Sequence, residues 1–469
     1  ALRLNDEGKY YFLSRPRRFG KSLFLDTLAE LFAGNEPLFR GLDVHGRWDW
    51  GRRFPVVRLS FAEGVLRSRA ELDQRIGELL ADNEARLGVA SSHRSLPGRF
   101  QGLIAAAHAA HGERVVVLVD EYDKPILDNL TNPDTARELR DGLRNLYSVI
   151  KGADAHIRFA FLTGVSKFSK VSLFSGLNNL IDITVDTSYS ALCGYTEADL
   201  DTTFAPELEG FDREQIRSWY NGYNWTGEAV YNPFDVLLLF QKRQFRAWWF
   251  ETATPTFLVD VLTDRQVWLP LLGQMRADAE LLSAFDVGRI STEALLWQTG
   301  YVTIAEQERF GEYRYRLRFP NREVYQSLSN SLLKAWTPNG QETLGHKARL
   351  GELLLANDFA GLEQLFTAFF ASIPADWYRN NPIADRLEAD SSALLAENQH
   401  GKRKCDFRFP SFLAARAAEN GGRILPLPGL LRERVLRLLR EPGAGPHARG
   451  EQQRRTAGPG SALQPRNGS

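Results

Sequence analysis

Residues 9–25 read KYYFLSRPRRFGKSLFL, and the fold assignment depends on this stretch. Its first part, residues 9–15, has the aromatic and apolar composition of a short strand. A basic turn with a proline follows, and from Lys21 to Phe32 the apolar residues recur with the period of a helix. A strand that leads through a turn into a helix points the free N–H groups of the helix N-terminus outward. Those N–H groups favour an anion at the turn.

The turn matches most of the phosphate-loop pattern GxxxxGK[ST]. In that pattern the glycine allows close backbone approach, the lysine reaches the β- and γ-phosphates, and the serine hydroxyl binds Mg²⁺. One position differs, because Arg15 stands where the first glycine belongs and Pro16 follows it. The side chains of Arg17 and Arg18 either contact phosphate or form a solvated basic turn. The predicted nucleotide-binding residues are Arg17, Arg18, Phe19, Gly20, Lys21 and Ser22.

A second motif supports the first, because GKS alone often occurs by chance. Residues 115–123 read VVVLVDEYD, an apolar strand that ends in Asp120 and Glu121. Asp120 is predicted to hold Mg²⁺ together with Ser22, and Glu121 to act as the general base toward the attacking water. Thr163 closes a third apolar strand, residues 157–163, and is predicted to sense the γ-phosphate. The predicted catalytic residues are Glu121, Lys21 and Thr163.

Strands and helices alternate through the first part of the chain, and the run 115–119 is apolar without interruption. This pattern predicts an α/β fold with a parallel sheet flanked by helices. We assign residues 1–189 to a P-loop NTPase core. Because the chain starts with Ala1 and a strand pattern begins almost at once, we expect this core to be truncated at its N-terminus.

Helical patterns dominate beyond residue 190. Residues 190–285 are predicted to form a helical lid or linker, in which the aromatic cluster at 219–225 is interpreted as core packing rather than a base-stacking surface. Helix, hairpin and helix patterns predict a winged-helix-like unit at 286–340, and a helical segment follows at 341–384. The Arg/Gly/Pro-rich tail at 385–469 is predicted to be disordered or translated out of frame.

The overall composition excludes few partners. Lysine plus arginine equals aspartate plus glutamate, 58 each, so net charge does not indicate a nucleic-acid or membrane partner. Two widely spaced cysteines fit a reducing compartment. No apolar run reaches the roughly 18 residues of a membrane helix, so a cytoplasmic protein without a membrane partner is predicted.

Several segments resemble the predicted AAA-ATPase-like bacterial proteins, a family grouped with the STAND and archaeal-ATPase-like branch of P-loop NTPases. The resemblance covers about residues 9–383 and rests on LSRPRRFGKSLFLDTLAELF, VVVLVDEYDKPIL, FLTGVSKFSKVSLFSGLNNL, WYNGYNW with YNPFDVL, and WWFETATPTFL. That family usually has Arg and Pro at the start of its phosphate loop, as this chain does. The resemblance implies ATP and Mg²⁺ as ligands, with Lys21, Ser22, Asp120 and Glu121 in the roles given above.

Two features depart from the family. Its segment before the phosphate-loop strand and its usual C-terminal PD-(D/E)xK nuclease-like domain are expected to be missing, so nuclease activity is not predicted. Asn178 and Asn179 lie in a typical family segment and are interpreted as loop-capping residues.

Three functional hypotheses remain. The first is an ATP-hydrolysing protein that couples its nucleotide state to the lid and winged-helix domains, with a homo-oligomer as a plausible assembly. The second is a non-hydrolysing nucleotide-binding module that regulates a nuclease partner. The third is a DNA-binding protein that uses a stripe of Arg314, Arg316 and Arg318 on one face of a strand.

Overall fold

The computed structural model describes residues 1–167, 179–253, 256–265, 275–278, 291–310, 312–336 and 342–371. Its first unit contains a five-stranded sheet with the order β2-β3-β4-β1-β5, in which all pairs are parallel. The strands are β1 (Tyr10–Ser14), β2 (Val56–Ser60), β3 (Val115–Asp120), β4 (Ile157–Gly164) and β5 (Ile181–Asp182). The predicted parallel sheet with flanking helices is therefore confirmed.

Helices precede, connect and cover these strands in the described part of the unit. They are α1 (Leu2–Glu7), α2 (Lys21–Ala33), α3 (Arg69–Leu87), α4 (Leu96–His111), α5 (Lys124–Leu127) and α6 (Pro133–Gly152). The sequence did not predict α1. Ser68, Ser95 and Asn132 cap α3, α4 and α6 by accepting a backbone N–H with their side chains. Such caps satisfy N–H groups that have no partner inside the helix, which fixes where each helix starts.

Strand β3 has apolar cores on both of its faces. Val115, Val117 and Val119 pack in the core that contains α3, α4 and α6. Val116 and Leu118 pack in a core on the other side, with residues of α1 and α2. Because alternate side chains of a strand point to opposite faces, the uninterrupted apolar run is what a doubly covered strand requires.

Beyond residue 190 the described chain is mostly helical. The helices are α7 (Glu197–Thr202), α8 (Arg213–Tyr220), α9 (Pro233–Lys242), α10 (Trp248–Ala253), α11 (Thr256–Asp264), α12 (Thr292–Thr299), α13 (Arg322–Trp336), α14 (Glu342–Ala356) and α15 (Phe359–Ala371). Tyr220, Tyr223 and Trp225 are buried, so the interpretation of this aromatic cluster as core packing is confirmed. In the part of the chain that is described, no helix is long and apolar enough to span a membrane.

A second, antiparallel sheet has the order β6-β8-β7 and comprises β6 (Arg276–Asp278), β7 (Thr303–Phe310) and β8 (Glu312–Arg318). With α12 before the β7–β8 hairpin and α13 after it, the predicted helix, hairpin and helix occur in that order. The assignment as a winged helix, and the domain boundaries, stay predictions. Asn178 and the predicted tail at 385–469 lie outside the described residues, whereas Asn179 lies in a turn.

Gly222 lets the segment between α8 and α9 pass close to Pro320, two residues before α13. Its φ is +114°, and a Cβ at this position would lie 1.9 Å from the carbonyl oxygen of Pro320. Backbone strain and steric overlap act together, so we expect Gly222→Ala to lower the free energy of unfolding by about 3–5 kcal/mol. Urea denaturation measures this change.

Gly64→Ala is the matched control for this substitution. Gly64 also has a positive φ, +71°, but no atom lies within 4 Å of the point that a Cβ would occupy. Only backbone strain remains, and the expected loss is about 1–2 kcal/mol. Equal losses for the two variants would contradict the close approach at Pro320.

Candidate functional site

The predicted site residues lie at the carboxyl edge of the parallel sheet. Strand β4 lies between β1 and β3, so the ends of these three strands are neighbours. The loop of residues 15–20 follows β1, Asp120 ends β3, and Thr163 is the penultimate residue of β4. Ligands of open parallel sheets bind at this edge because the loops that follow adjacent strands meet there.

The loop between β1 and α2 is the predicted phosphate loop. Gly20 caps α2 in the left-handed region with a φ of +81°, which glycine adopts at little cost. The Lys21 Nζ donates to the carbonyl oxygens of Arg15 at 3.0 Å and of Pro16 at 2.9 Å. The lysine therefore spans the loop from the helix back to its first residues, with its ammonium at the centre of the turn.

The Lys21 ammonium faces the carboxylates at the end of β3. Burial lowers the pKa of Lys21, and the negative charges of Glu121, Asp120 and Asp123 oppose that shift. Lys21 is only 6% exposed. The structure thus brings together the lysine of the first motif and the acidic pair of the second, although 99 positions separate Lys21 from Asp120 in the chain.

Glu121 combines backbone strain with a perturbed carboxyl group. Its φ is +50°, an uncommon value for a residue that has a Cβ. Burial raises the pKa of Glu121, and the nearby Lys21 and Arg17 partly offset this shift. A carboxylate whose pKa is raised is a stronger base toward water than an ordinary glutamate, as general-base chemistry requires.

Asp120 and Ser22 form a donor set suited to Mg²⁺. Asp120 is 8% exposed, and its Oδ1 accepts the backbone N–H of Glu121 at 3.0 Å. The Ser22 side chain is exposed and makes no hydrogen bond within the described residues. One carboxylate and one hydroxyl fit Mg²⁺ because this ion takes few protein oxygens and completes its shell with water and substrate phosphate.

Asp123 is a site residue that sequence reasoning missed, although it closes the quoted motif VVVLVDEYD. It is fully buried, and its Oδ2 accepts from the backbone N–H of Ser166 at 2.7 Å and from the Ser166 hydroxyl at 2.5 Å. Burial raises the pKa of Asp123, and the hydrogen bonds from Ser166 oppose the shift. Asp123 therefore ties the turn that carries Glu121 to the turn that follows β4.

Thr163 lies on the strand beside the phosphate-loop strand, as predicted. Its hydroxyl donates to the Leu13 carbonyl oxygen at 2.9 Å, and the residue is 1% exposed. The hydroxyl hydrogen is therefore engaged in linking β4 to β1. Its role as a γ-phosphate sensor stays a prediction.

The first position of the loop has a function that the sequence pattern did not indicate. The buried Arg15 guanidinium donates to the carbonyl oxygens of Thr184 at 2.9 Å, Tyr189 at 2.9 Å and Leu192 at 3.2 Å. It also stacks on the Trp225 ring at 4.0 Å from the centroid. Arg15 thus anchors the loop to the segment after β5 rather than to a phosphate.

The remaining loop residues have three different environments. Arg17 is half-buried and lies near Glu121, whereas Arg18 is exposed and stacks over the Phe234 ring. Phe19 was predicted to bind nucleotide, but its side chain is fully buried, with its ring 4.7 Å from that of Tyr223. Only the backbone of Phe19 is therefore available to a ligand.

Comparisons with known proteins identify the family to which this chain is similar. The profile of the family described as Predicted AAA-ATPase matches residues 1–174, which include the phosphate loop and the strand that ends in Asp120. A protein of Azotobacter chroococcum mcd 1, described as "Uncharacterized protein in vnfD 5'region", is 68% identical over 385 residues, 82% of this chain and 75% of that protein. No solved structure matches the chain.

The geometry and the comparisons lead to the same assignment. A lysine at the start of a helix faces two carboxylates at the end of a neighbouring buried strand, and the family profile covers both elements. These features indicate an ATPase-like protein that uses a nucleotide together with a divalent metal. The chain belongs to the predicted AAA-ATPase family.

Proposed function

We propose that this chain binds ATP with Mg²⁺ at the carboxyl edge of its parallel sheet and hydrolyses it. The observation that carries the proposal is the position of Lys21, whose buried ammonium spans the phosphate loop and faces Asp120 and Glu121. The structure offers a positive charge for the phosphates and a base for water within one cluster. The proposal includes ATP as the ligand and the cytoplasm as the location of the protein.

Each residue has a separate task. The N–H groups at the start of α2 and the Lys21 ammonium bind the phosphate oxygens. Glu121 accepts a proton from the attacking water, which its raised pKa favours. Ser22 and Asp120 would hold Mg²⁺, which neutralises phosphate charge when it is bound.

The loop also makes direct contacts with the second half of the molecule. Phe19 packs in the core formed by α11, α12, α13 and the antiparallel sheet. The Trp249 indole N–H donates to the carbonyl oxygen of Arg17 at 2.9 Å. A nucleotide that shifts the loop would therefore shift these contacts, which supports coupling between the nucleotide state and the proposed lid and winged-helix units.

The stripe of arginines on β8 gives little support to the DNA-binding hypothesis. Arg314, Arg316 and Arg318 are exposed on one face, as predicted. However, the Arg316 guanidinium pairs with Glu306 at 2.7 Å, and Arg314 lies opposite Glu308 in the strand register. These glutamates offset the positive field that phosphate binding needs. A homo-oligomer stays a prediction.

Lys21→Ala tests the phosphate contact. Because the substitution removes the ammonium from the loop, we expect the affinity for Mg-ATP to fall about 10- to 100-fold, or about 1.5–3 kcal/mol. Isothermal titration calorimetry measures this loss, and circular dichroism checks that the variant folds. Lys151→Ala, at an exposed position in α6, is the control and should bind like the wild type. If Lys21→Ala bound with wild-type affinity, the assigned loop would be wrong.

Glu121→Gln tests hydrolysis separately from binding. The amide keeps the size of the side chain but cannot accept the proton from water, so we expect turnover to fall by about 10²–10⁴. Affinity for Mg-ATP should stay close to that of the wild type. Phosphate release is the readout, with Glu138→Gln on the exposed face of α6 as control. A wild type that binds ATP without turning it over would instead support the non-hydrolysing module.

Arg15→Lys tests the anchor of the loop. A lysine cannot reproduce the planar set of donors, so at least one buried carbonyl group loses its partner. We expect the free energy of unfolding to fall by about 2–4 kcal/mol. Denaturant unfolding measures the change, and the exposed Arg18→Lys should change it by about 0.5 kcal/mol or less. Equal effects of the two substitutions would show that the hydrogen bonds of the buried Arg15 contribute little to the free energy of unfolding.

A further inference from the structure

Two carboxylic acids face each other in the second half of the molecule, away from the nucleotide site. Asp235 lies in the first turn of α9 and Glu323 in the first turn of α13, and both are fully buried. Their carboxyl groups are neighbours, because they accept the backbone N–H groups of two consecutive residues, Trp249 and Phe250. Isolated charges are rarely buried in this way, because removing a carboxylate from water carries a large free-energy cost.

Each carboxyl group has one satisfied oxygen and one that lacks a donor. The Oδ1 of Asp235 accepts the backbone N–H of Trp249 at 2.8 Å, and the Oε1 of Glu323 accepts that of Phe250 at 3.1 Å. The remaining oxygens, Oδ2 of Asp235 and Oε2 of Glu323, are buried and receive no hydrogen bond from any described group. Two such oxygens repel each other unless a proton or a cation lies between them.

The surroundings supply partial positive charge from helix N-termini and backbone N–H groups. The pair lies at the N-termini of α9 and α13, and it receives two N–H groups from the first turn of α10. Neither carboxyl group forms an ion pair within the described residues. The titratable neighbours include Tyr220 and Tyr223, whose pKa values burial raises, so both are neutral at physiological pH. Helix N-termini favour one negative charge here, and no ion pair within the described part of the chain compensates a second one.

We propose that Asp235 and Glu323 form a proton-binding site, in which one proton is held between the two carboxyl groups at neutral pH. The pair then carries a single negative charge, and each unpartnered oxygen takes part in the hydrogen bond that the proton makes. This site is separate from nucleotide binding and does not depend on the proposed ATPase activity.

The directions of the pKa shifts agree with this arrangement. Burial raises the pKa of Asp235, and the hydrogen bond from Glu323 partly offsets the shift. Burial raises the pKa of Glu323 well above its usual value, and the charge of Asp235 raises it further. Like charges at one site keep a proton because the two groups cannot both ionise without mutual repulsion.

The proton would hold together a junction that reaches the phosphate loop. Both carboxyl groups bind the start of α10, and the Trp249 indole on the same helix donates to the Arg17 carbonyl oxygen. When the proton is lost, the carboxylates of Asp235 and Glu323 repel each other at the start of α10. We therefore expect alkaline pH to weaken the contact between the phosphate loop and the core formed by α11, α12, α13 and the antiparallel sheet.

The sign of the pH dependence follows from the raised pKa values. A carboxyl group whose pKa is higher in the folded state than in the unfolded state binds its proton more tightly when folded. Its contribution to stability is present at low pH and is lost as pH rises through the folded-state pKa. The wild type should therefore lose stability between neutral and alkaline pH in a way that a variant without the titrating acid does not.

Glu323→Gln is the test variant. The amide that replaces the carboxyl group can donate to Oδ2 of Asp235 and still accept from Phe250, but it does not ionise. Between pH 6.5 and pH 9 we expect the melting temperature of the wild type to fall by about 2–4 °C more than that of Glu323→Gln. The exposed Glu138→Gln should follow the wild type. Infrared spectroscopy of the folded wild type near neutral pH should show a protonated carboxyl band that Glu323→Gln or Asp235→Asn removes.

Two results would overturn the proposal. Parallel melting curves for the wild type and Glu323→Gln across this pH range would show that no proton is held by the pair. Loss of wild-type stability on addition of EDTA, without such a loss in Glu323→Gln, would show that a divalent cation lies between the carboxyl groups instead. If neither variant folds, infrared spectroscopy of the wild type, Glu121→Gln and Asp123→Asn decides: a band that titrates above neutral pH in all three supports the shared proton, and its absence from the wild type rejects it.

Discussion

The arrangement of the proposed nucleotide site depends on the buried guanidinium of Arg15. This group donates to backbone carbonyl oxygens of residues 184–192 and stacks on Trp225, and so fixes the start of the phosphate loop against a segment about 170 residues later in the chain. A buried cation of this kind is stable only when its donors are satisfied, and here the carbonyl groups satisfy them. As a consequence, the Arg15 side chain is not free to contact a ligand. Residues 16–22 are left to form the rest of the loop, with Lys21 returning to the carbonyl oxygens of Arg15 and Pro16.

The same loop is held from two sides, and this has consequences for function. Its start and end belong to the parallel sheet and to α2, whereas Phe19 at its centre is packed in the core of the second half of the molecule. Trp249 adds a hydrogen bond to Arg17 from that side. A close-packed core transmits displacement because its side chains cannot move independently. A ligand that changes the loop therefore acts on both halves, and the shared proton proposed for Asp235 and Glu323 lies on the same path through α10.

Local sequence patterns were sufficient to predict the parallel sheet and to propose which residues lie at its edge. Gly20, Lys21 and Ser22 stand at a strand-to-helix turn, and Asp120 and Glu121 end an apolar run. These patterns predicted the parallel sheet, which the structure confirms, and the chemistry now proposed for its edge. They could not predict residues whose roles arise from contacts between distant segments. Arg15 looked like a defect in the pattern and is an anchor, Phe19 was predicted to bind nucleotide and has its side chain buried in the core, and Asp123 was overlooked because its partner, Ser166, lies after the next strand. The pairing of Asp235 with Glu323 has no local pattern at all.

The central claim is that the loop of residues 15–22 and the end of β3 form one nucleotide site. Hydrogen–deuterium exchange of the wild-type chain, with and without saturating Mg-ATP, tests this claim directly. Bound phosphate accepts hydrogen bonds from the N–H groups at the start of α2, so we expect exchange to slow in residues 19–23 and in the turn around Asp120 and Glu121. Slower exchange in both segments would support a single site. Unchanged exchange in the loop under saturating Mg-ATP would contradict it.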